Sequence, residues 1–118
     1  MVYALNVFNL VPGRENDYRI YSAQAAKIIY GLRGRIVQAG QNPLRRILDD
    51  RKRSQMIVVE FPSEKAFQEF LDEGERQGIH VLREASTTDY IWTLYEPWDL
   101  RSWLAGESGA PTADSSRT

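Results

Sequence analysis

The chain has 118 residues, of which 42% are hydrophobic and 26% charged, the composition of a globular domain and not of a disordered or fibrous chain. Fifteen basic against sixteen acidic residues leave a formal charge of −1, so no global field draws in nucleic acid or an anionic membrane. The absence of cysteine excludes disulfides, thiolate nucleophiles, zinc fingers and iron–sulfur clusters together. One domain is the expectation at this length. Asn6 and Asn9 interrupt the first apolar run, which has no basic lead-in, and no stretch reaches the ~20 apolar residues of a membrane helix. A cytoplasmic protein is expected.

Val2–Leu10 (VYALNVFNL) is apolar on both alternating faces, which predicts a strand covered on both sides. Pro12 and Gly13 end it. Tyr18, Tyr21, Ala25, Ile28 and Leu32 then recur at spacings of three and four, predicting a helix over residues 14–32. Gly31 and Gly34 are expected to supply the left-handed backbone that closes this helix, before a second strand at residues 35–39. Residues 44–48 and 55–61 flank the charged stretch 49–52 and read as a hairpin whose second arm, MIVVEF, is buried and central. Pro62 stops that arm and Ser63 is a natural N-cap for a helix with Ala66, Phe67, Phe70 and Leu71 on one face. Gly74 and Gly78 break its regularity. Ile79, Leu82 and Ala85 resume a helical spacing, and residues 87–96 alternate as a last strand.

The order βαββαβ is the ferredoxin-like α+β plan, an antiparallel sheet with helices on one face. Strand one and MIVVEF are apolar on both sides, so the other face would expose more apolar surface than the roughly few hundred Å² a monomer tolerates. A homodimer through the open sheet face, forming a dimeric α+β barrel, is therefore expected. Residues 1–97 are assigned to this domain. Residues 98–105 read as a helical extension carrying Trp98 and Trp103, suited to lie on a neighbour, and residues 106–118 as a flexible tail of Gly, Ser, Pro and Thr without periodicity.

His80 is the only histidine and hence the one imidazole for proton transfer; its alternative is a partly exposed residue beside Gly78. Asn6 sits mid-strand among apolar neighbours, where a buried amide must find partners in a ligand or in the backbone. Arg83 can clamp a carboxylate or phenolate as a forked donor, or pair with a surface acid. Tyr18, Tyr21, Tyr90 and Trp92 either line an aromatic pocket or pack the core. Arg45, Arg46, Arg51, Lys52 and Arg53 form a basic cluster, but Asp49 and Asp50 sit within it and no aromatic interleaves, which describes a solvated tip. A lone histidine rules out HExxH, no EF-hand series is present, and glycine-rich phosphate loops are absent, so no metal site is expected.

The stretch FPSEKAFQEFLDEGERQGIHVLREA resembles the dimeric α+β barrel family known as domain of unknown function thirteen-thirty, through Phe61-Pro62-Ser63, Phe70, Arg83 and the glycine-flanked segment from Gly34 to Gly40. The resemblance extends to about Glu96. It departs at Glu75-Arg76, where a Glu-Tyr pair is usual, and in the added residues 98–104. It implies a dimer with a pocket between sheet and helices, without an agreed reaction. More distantly, the chain is similar to antibiotic-biosynthesis and haem-degrading monooxygenases, which share this barrel; in the haem-degrading group a strand-one asparagine, a helix-two tryptophan and a histidine beyond it recur. Asn6, Phe70 and His80 fall at those positions, with phenylalanine in place of tryptophan.

The expected function is a homodimer that binds a small apolar or aromatic molecule, with no cofactor. Turnover would proceed by proton transfer or cyclisation, with His80 and Asn6 as the catalytic pair and Arg83, Phe70, Tyr18, Tyr21 and Trp92 contacting the molecule. The alternatives are haem binding or breakdown through His80, and a non-enzymatic interaction module.

Overall fold

The computed structural model describes residues 1–48 and 52–106. Its elements are β1 (Val2–Leu10), α1 (Glu15–Gly31), β2 (Arg35–Gln41), β3 (Gln55–Phe61), α2 (Glu64–Gln77), α3 (His80–Ser86), β4 (Thr87–Tyr95) and α4 (Leu100–Leu104). The four strands form one antiparallel sheet in the order β2-β3-β1-β4, which is the ferredoxin-like α+β arrangement. The two strands that read as apolar on both faces, β1 and β3, are the central pair.

Strand alternation divides the residues between two faces. Val2, Ala4, Asn6 and Phe8 of β1 are buried and pair with Phe61, Val59, Ile57 and Gln55 of β3. On this side α1 and α2 lay down Tyr21, Ala25, Ile28, Ile29, Phe67 and Phe70, closing the core. The intervening residues Tyr3, Leu5 and Val7 share the opposite face with Met56, Val58, Ile91 and Tyr95, where they are half-buried or exposed.

Local chemistry sets the helix ends. Ser63 caps α2, its hydroxyl accepting from the Ala66 amide at 3.1 Å, and Gly78 at φ 76° ends that helix in the left-handed conformation. Gly74 lies inside α2 without breaking it. At the end of α1 the expectation is corrected: Arg33, at φ 65°, takes the left-handed turn. Gly34 serves close approach instead, since a Cβ there would stand 2.9 Å from the Glu60 carbonyl oxygen and from Ile29 Cγ2.

The hairpin expectation is corrected as well. Residues 44–48 form no strand; β2 runs on to Gln41 and is itself the partner of β3, with Gly40 opposite Met56. Leu44 and Leu48 are essentially fully exposed, at 102% and 98%. Their apolar side chains imitate a strand arm but have no sheet to join, and Pro43 before them lacks a ladder donor. Asp49, Asp50 and Arg51 of the proposed tip, and residues 107–118 of the tail, lie outside the described residues. In the extension, Asp99 caps the short α4 and Trp98 packs edge-on against Trp103 at 5.4 Å. No helix among the described residues is long and apolar enough to cross a membrane.

Candidate functional site

The sequence-selected side chains gather under α1, between that helix, the α2–α3 joint and the sheet. Gly78 turns the chain so that Ile79 is buried and His80 begins α3. This places His80 and Arg83, one helical turn apart, on the rim of a cleft of about 170 Å³ that Tyr21, Phe70 and Glu75 also wall. A second, smaller cavity of about 30 Å³ lies deeper, against the sheet, with Asn6, Tyr18, Tyr90 and Trp92 among its walls. Tyr21 and Phe70 line both spaces and are 5% and 3% exposed, so these two rings form the partition.

The partition belongs to an aromatic cluster. Phe70 meets Trp92 edge-on at 5.8 Å, Trp92 meets Tyr90 at 6.2 Å, and Phe8 lies 5.1 Å from Tyr18 and 5.4 Å from Tyr90. Tyr21 and Tyr90 share a hydrogen bond of 3.3 Å between their hydroxyls. The Arg83 guanidinium stands 4.9 Å over the Tyr90 ring, and its other neighbour is the Glu84 carboxylate at 3.5 Å. Arg83 is thus engaged by an acid of its own helix and by a ring of the cluster.

Polar bookkeeping separates engaged groups from unengaged ones. Asn6 is 1% exposed and its Nδ2 donates to the Ile91 carbonyl at 2.9 Å, so its amide ties β1 to β4 as well as facing the inner cavity. Among the described residues two buried side-chain nitrogens are without hydrogen-bond partners, His80 Nδ1 and Trp92 Nε1. Burial pushes the Tyr18 and Tyr90 hydroxyls far above the ordinary tyrosine range; the neighbouring Tyr21 adds to both shifts, and Arg83 opposes the second without reversing it. These phenols therefore stay protonated and act as hydrogen-bonding groups, not as bases.

All seven residues selected from sequence line one of the two spaces, but His80 and Asn6 line different ones. Arg83 and His80 belong to the outer cleft, Tyr18, Trp92 and Asn6 to the inner cavity, and Tyr21 and Phe70 to both. Sequence reasoning missed Glu75 and Ile79 on the cleft and Phe8 in the ring cluster. Leu71 and Glu75, four residues apart on one face of α2, were the available signal for Glu75. A larger groove of about 520 Å³ lies elsewhere, between α1 and α2; Lys27, Asp72 and the Glu73–Arg76 ion pair line it, and none of the selected residues does. No cluster of metal-binding side chains occurs among the described residues.

Comparison with known proteins supports the fold. A protein of unknown function from Rhodopseudomonas palustris superposes with a TM-score of 0.70 at 23% identity over 82% of each chain. SnoaB, a cofactor-independent oxygenase from Streptomyces nogalater, gives a TM-score of 0.56 at 18% identity, over 82% of this chain and 92% of that one. A protein from Agrobacterium tumefaciens gives 0.59 at 12% identity, over 84% of this chain and 95% of that one. Curated proteins return no match. The family model described as domain of unknown function (DUF1330) matches residues 3–94, from the second residue of β1 to the penultimate residue of β4, and the chain belongs to that family.

Proposed function

We propose that this protein is a homodimer, closed through the bare sheet face, in which each subunit binds a small, largely apolar or aromatic molecule between helices and sheet. The observation that carries the binding reading is the cleft walled by Tyr21 and Phe70 and lined by His80, whose buried Nδ1 has no partner. An unpaired buried polar atom costs free energy that a bound ligand can recover. The dimer reading is supported by the apolar residues Tyr3, Leu5, Val7, Met56 and Val58 on the face that no helix covers. SnoaB, with the same fold, is a cofactor-independent oxygenase, which supports cofactor-free chemistry in this architecture.

In the catalytic form of the proposal, His80 accepts a proton from a C–H or O–H of the bound molecule and returns it at a second position. The electron pair left behind moves onto a ligand oxygen, where a Tyr21 hydroxyl or the Asn6 amide donates to it. Tyr21 is the better placed of the two, since it borders both spaces. The haem alternative is less well supported. The cleft of about 170 Å³ lies below the ~300–1,000 Å³ of pockets that hold drug-sized ligands, and a tetrapyrrole is large even among those.

The test is a panel of one- and two-ring aromatic compounds followed by ¹H–¹⁵N and ¹H–¹³C NMR. Saturable perturbation centred on Tyr21, Phe70, His80 and Arg83, weakened in His80→Ala, is expected. A panel without any such perturbation sinks the binding reading. Haem titration of wild type beside His80→Ala is the companion measurement: a Soret band lost in the variant would establish the alternative instead.

A further inference from the structure

The inner cavity has a chemistry of its own. Its volume of about 30 Å³ has room for one small group and not for a ring. Several polar groups on its wall are already engaged: Asn6 Nδ2 donates to Ile91, and the hydroxyls of Tyr21 and Tyr90 share a hydrogen bond. The exception is Trp92, whose indole Nε1 is buried and unpartnered. An indole N–H can only donate, so whatever satisfies it must be an acceptor.

Resting on the reading that the outer cleft takes an aromatic body, we infer that the ligand is a neutral, planar aromatic carbonyl compound. Its ring occupies the outer cleft against Phe70 and Tyr21, and its carbonyl oxygen enters the inner cavity to accept from Trp92 Nε1. Both spaces share the Tyr21–Phe70 wall, so a molecule of two fused rings with one exocyclic oxygen spans them by displacing that wall slightly. Neutrality follows from the surroundings. Apart from the Ser22 hydroxyl, rings and aliphatic side chains such as Ile29, Ile57 and Val59 make up the rest of the inner wall, which holds no cation, so a carboxylate or phenolate there would lose its hydration without a counter-charge in return. The burial that keeps the Tyr18 and Tyr90 hydroxyls protonated acts equally against a ligand anion. Arg83, on the outer cleft, lies against the Tyr90 ring and is shared with Glu84.

A matched set of probes separates this inference from the binding reading beneath it. Indane and 1-indanone have the same rings and differ by the carbonyl; indane-1-carboxylate supplies the anion. Binding of 1-indanone about tenfold tighter than indane is expected, the value of one good hydrogen bond to a buried donor, with the carboxylate weakest. In a Trp98→Phe/Trp103→Phe background Trp92 is the remaining tryptophan of the three, and its indole N–H resonance should move downfield with 1-indanone and not with indane. Trp92→Phe should erase the preference while indane still binds. If that variant does not fold, the indole resonance of the folded protein decides. Equal affinity for indane and 1-indanone, tighter binding of the carboxylate, or a ketone preference that survives Trp92→Phe overturns the inference and leaves the aromatic cleft standing. Failure of all three probes to bind overturns both.

Discussion

The two faces of the sheet are built from the same strands and have opposite fates. On β1, Val2, Ala4, Asn6 and Phe8 disappear beneath α1 and α2, whereas Tyr3, Leu5 and Val7, no less apolar, remain part-exposed on the other side. Composition therefore does not distinguish the faces; the chain's own helices do. One face is completed within a subunit and should govern whether the chain folds. The other should govern what it associates with.

The sharpest way to break this contrast is to strike each face in turn. Phe61, 1% exposed and ringed by Phe67 and Phe70, holds the covered face. Phe61→Ala should lower unfolding free energy by about 3–5 kcal/mol, measured by urea or thermal unfolding. On the bare face Val58 sits opposite Leu5. Val58→Lys should leave the subunit's secondary structure intact while weakening self-association by about 100-fold or more, read by sedimentation or light scattering. A variant that remains dimeric would refute an interface on this face.

A third substitution tests how tightly the covered side is closed. Gly34→Ala places a methyl against the Glu60 carbonyl and Ile29, so a loss of about 1–3 kcal/mol is expected. Gly31→Ala, where a Cβ meets nothing within 4 Å, should be neutral or stabilising by up to about 1 kcal/mol. The smallest effect is absent at neutral pH. The folded state holds the protons of Tyr18 and Tyr90 well past the point, near pH 10, at which an unfolded chain releases them. Their contribution is thus fully present below about pH 10 and is lost as pH rises further, because the unfolded state gains by ionising first. Tyrosinate absorbance should show two phenols that ionise only with unfolding.

Much of this arrangement was legible in the residues. Helix periodicity located α1 and α2, Ser63 marked its cap, and the doubly apolar runs located the two central strands. The hairpin at residues 44–48 failed because Leu44, Ile47 and Leu48 carry strand-like apolarity without a partner, and pairing depends on sheet register that no local pattern encodes. Arg33 took a left-handed turn expected of glycine because Gly34 was needed for close approach. The site residues were identified by type, but their sorting into two compartments rests on where α1 places Tyr21 and α2 places Phe70, on helices distant in sequence. Asn6 shows the same limit: its buried amide was legible, its bond to Ile91 was not.

The left-handed joint at Gly78 has an evolutionary consequence. One wall of the cleft, from Gly74 to Arg83, is contributed by a short segment that is continuous in sequence, the end of α2, the Gly78 joint and the start of α3, all outside the sheet ladder. Exchanges at its positions other than the buried Ile79 alter no residue of the strand ladder or of the bare face. A lineage carrying this fold can therefore reshape the cleft by editing about ten neighbouring codons while inheriting its sheet scaffold unchanged.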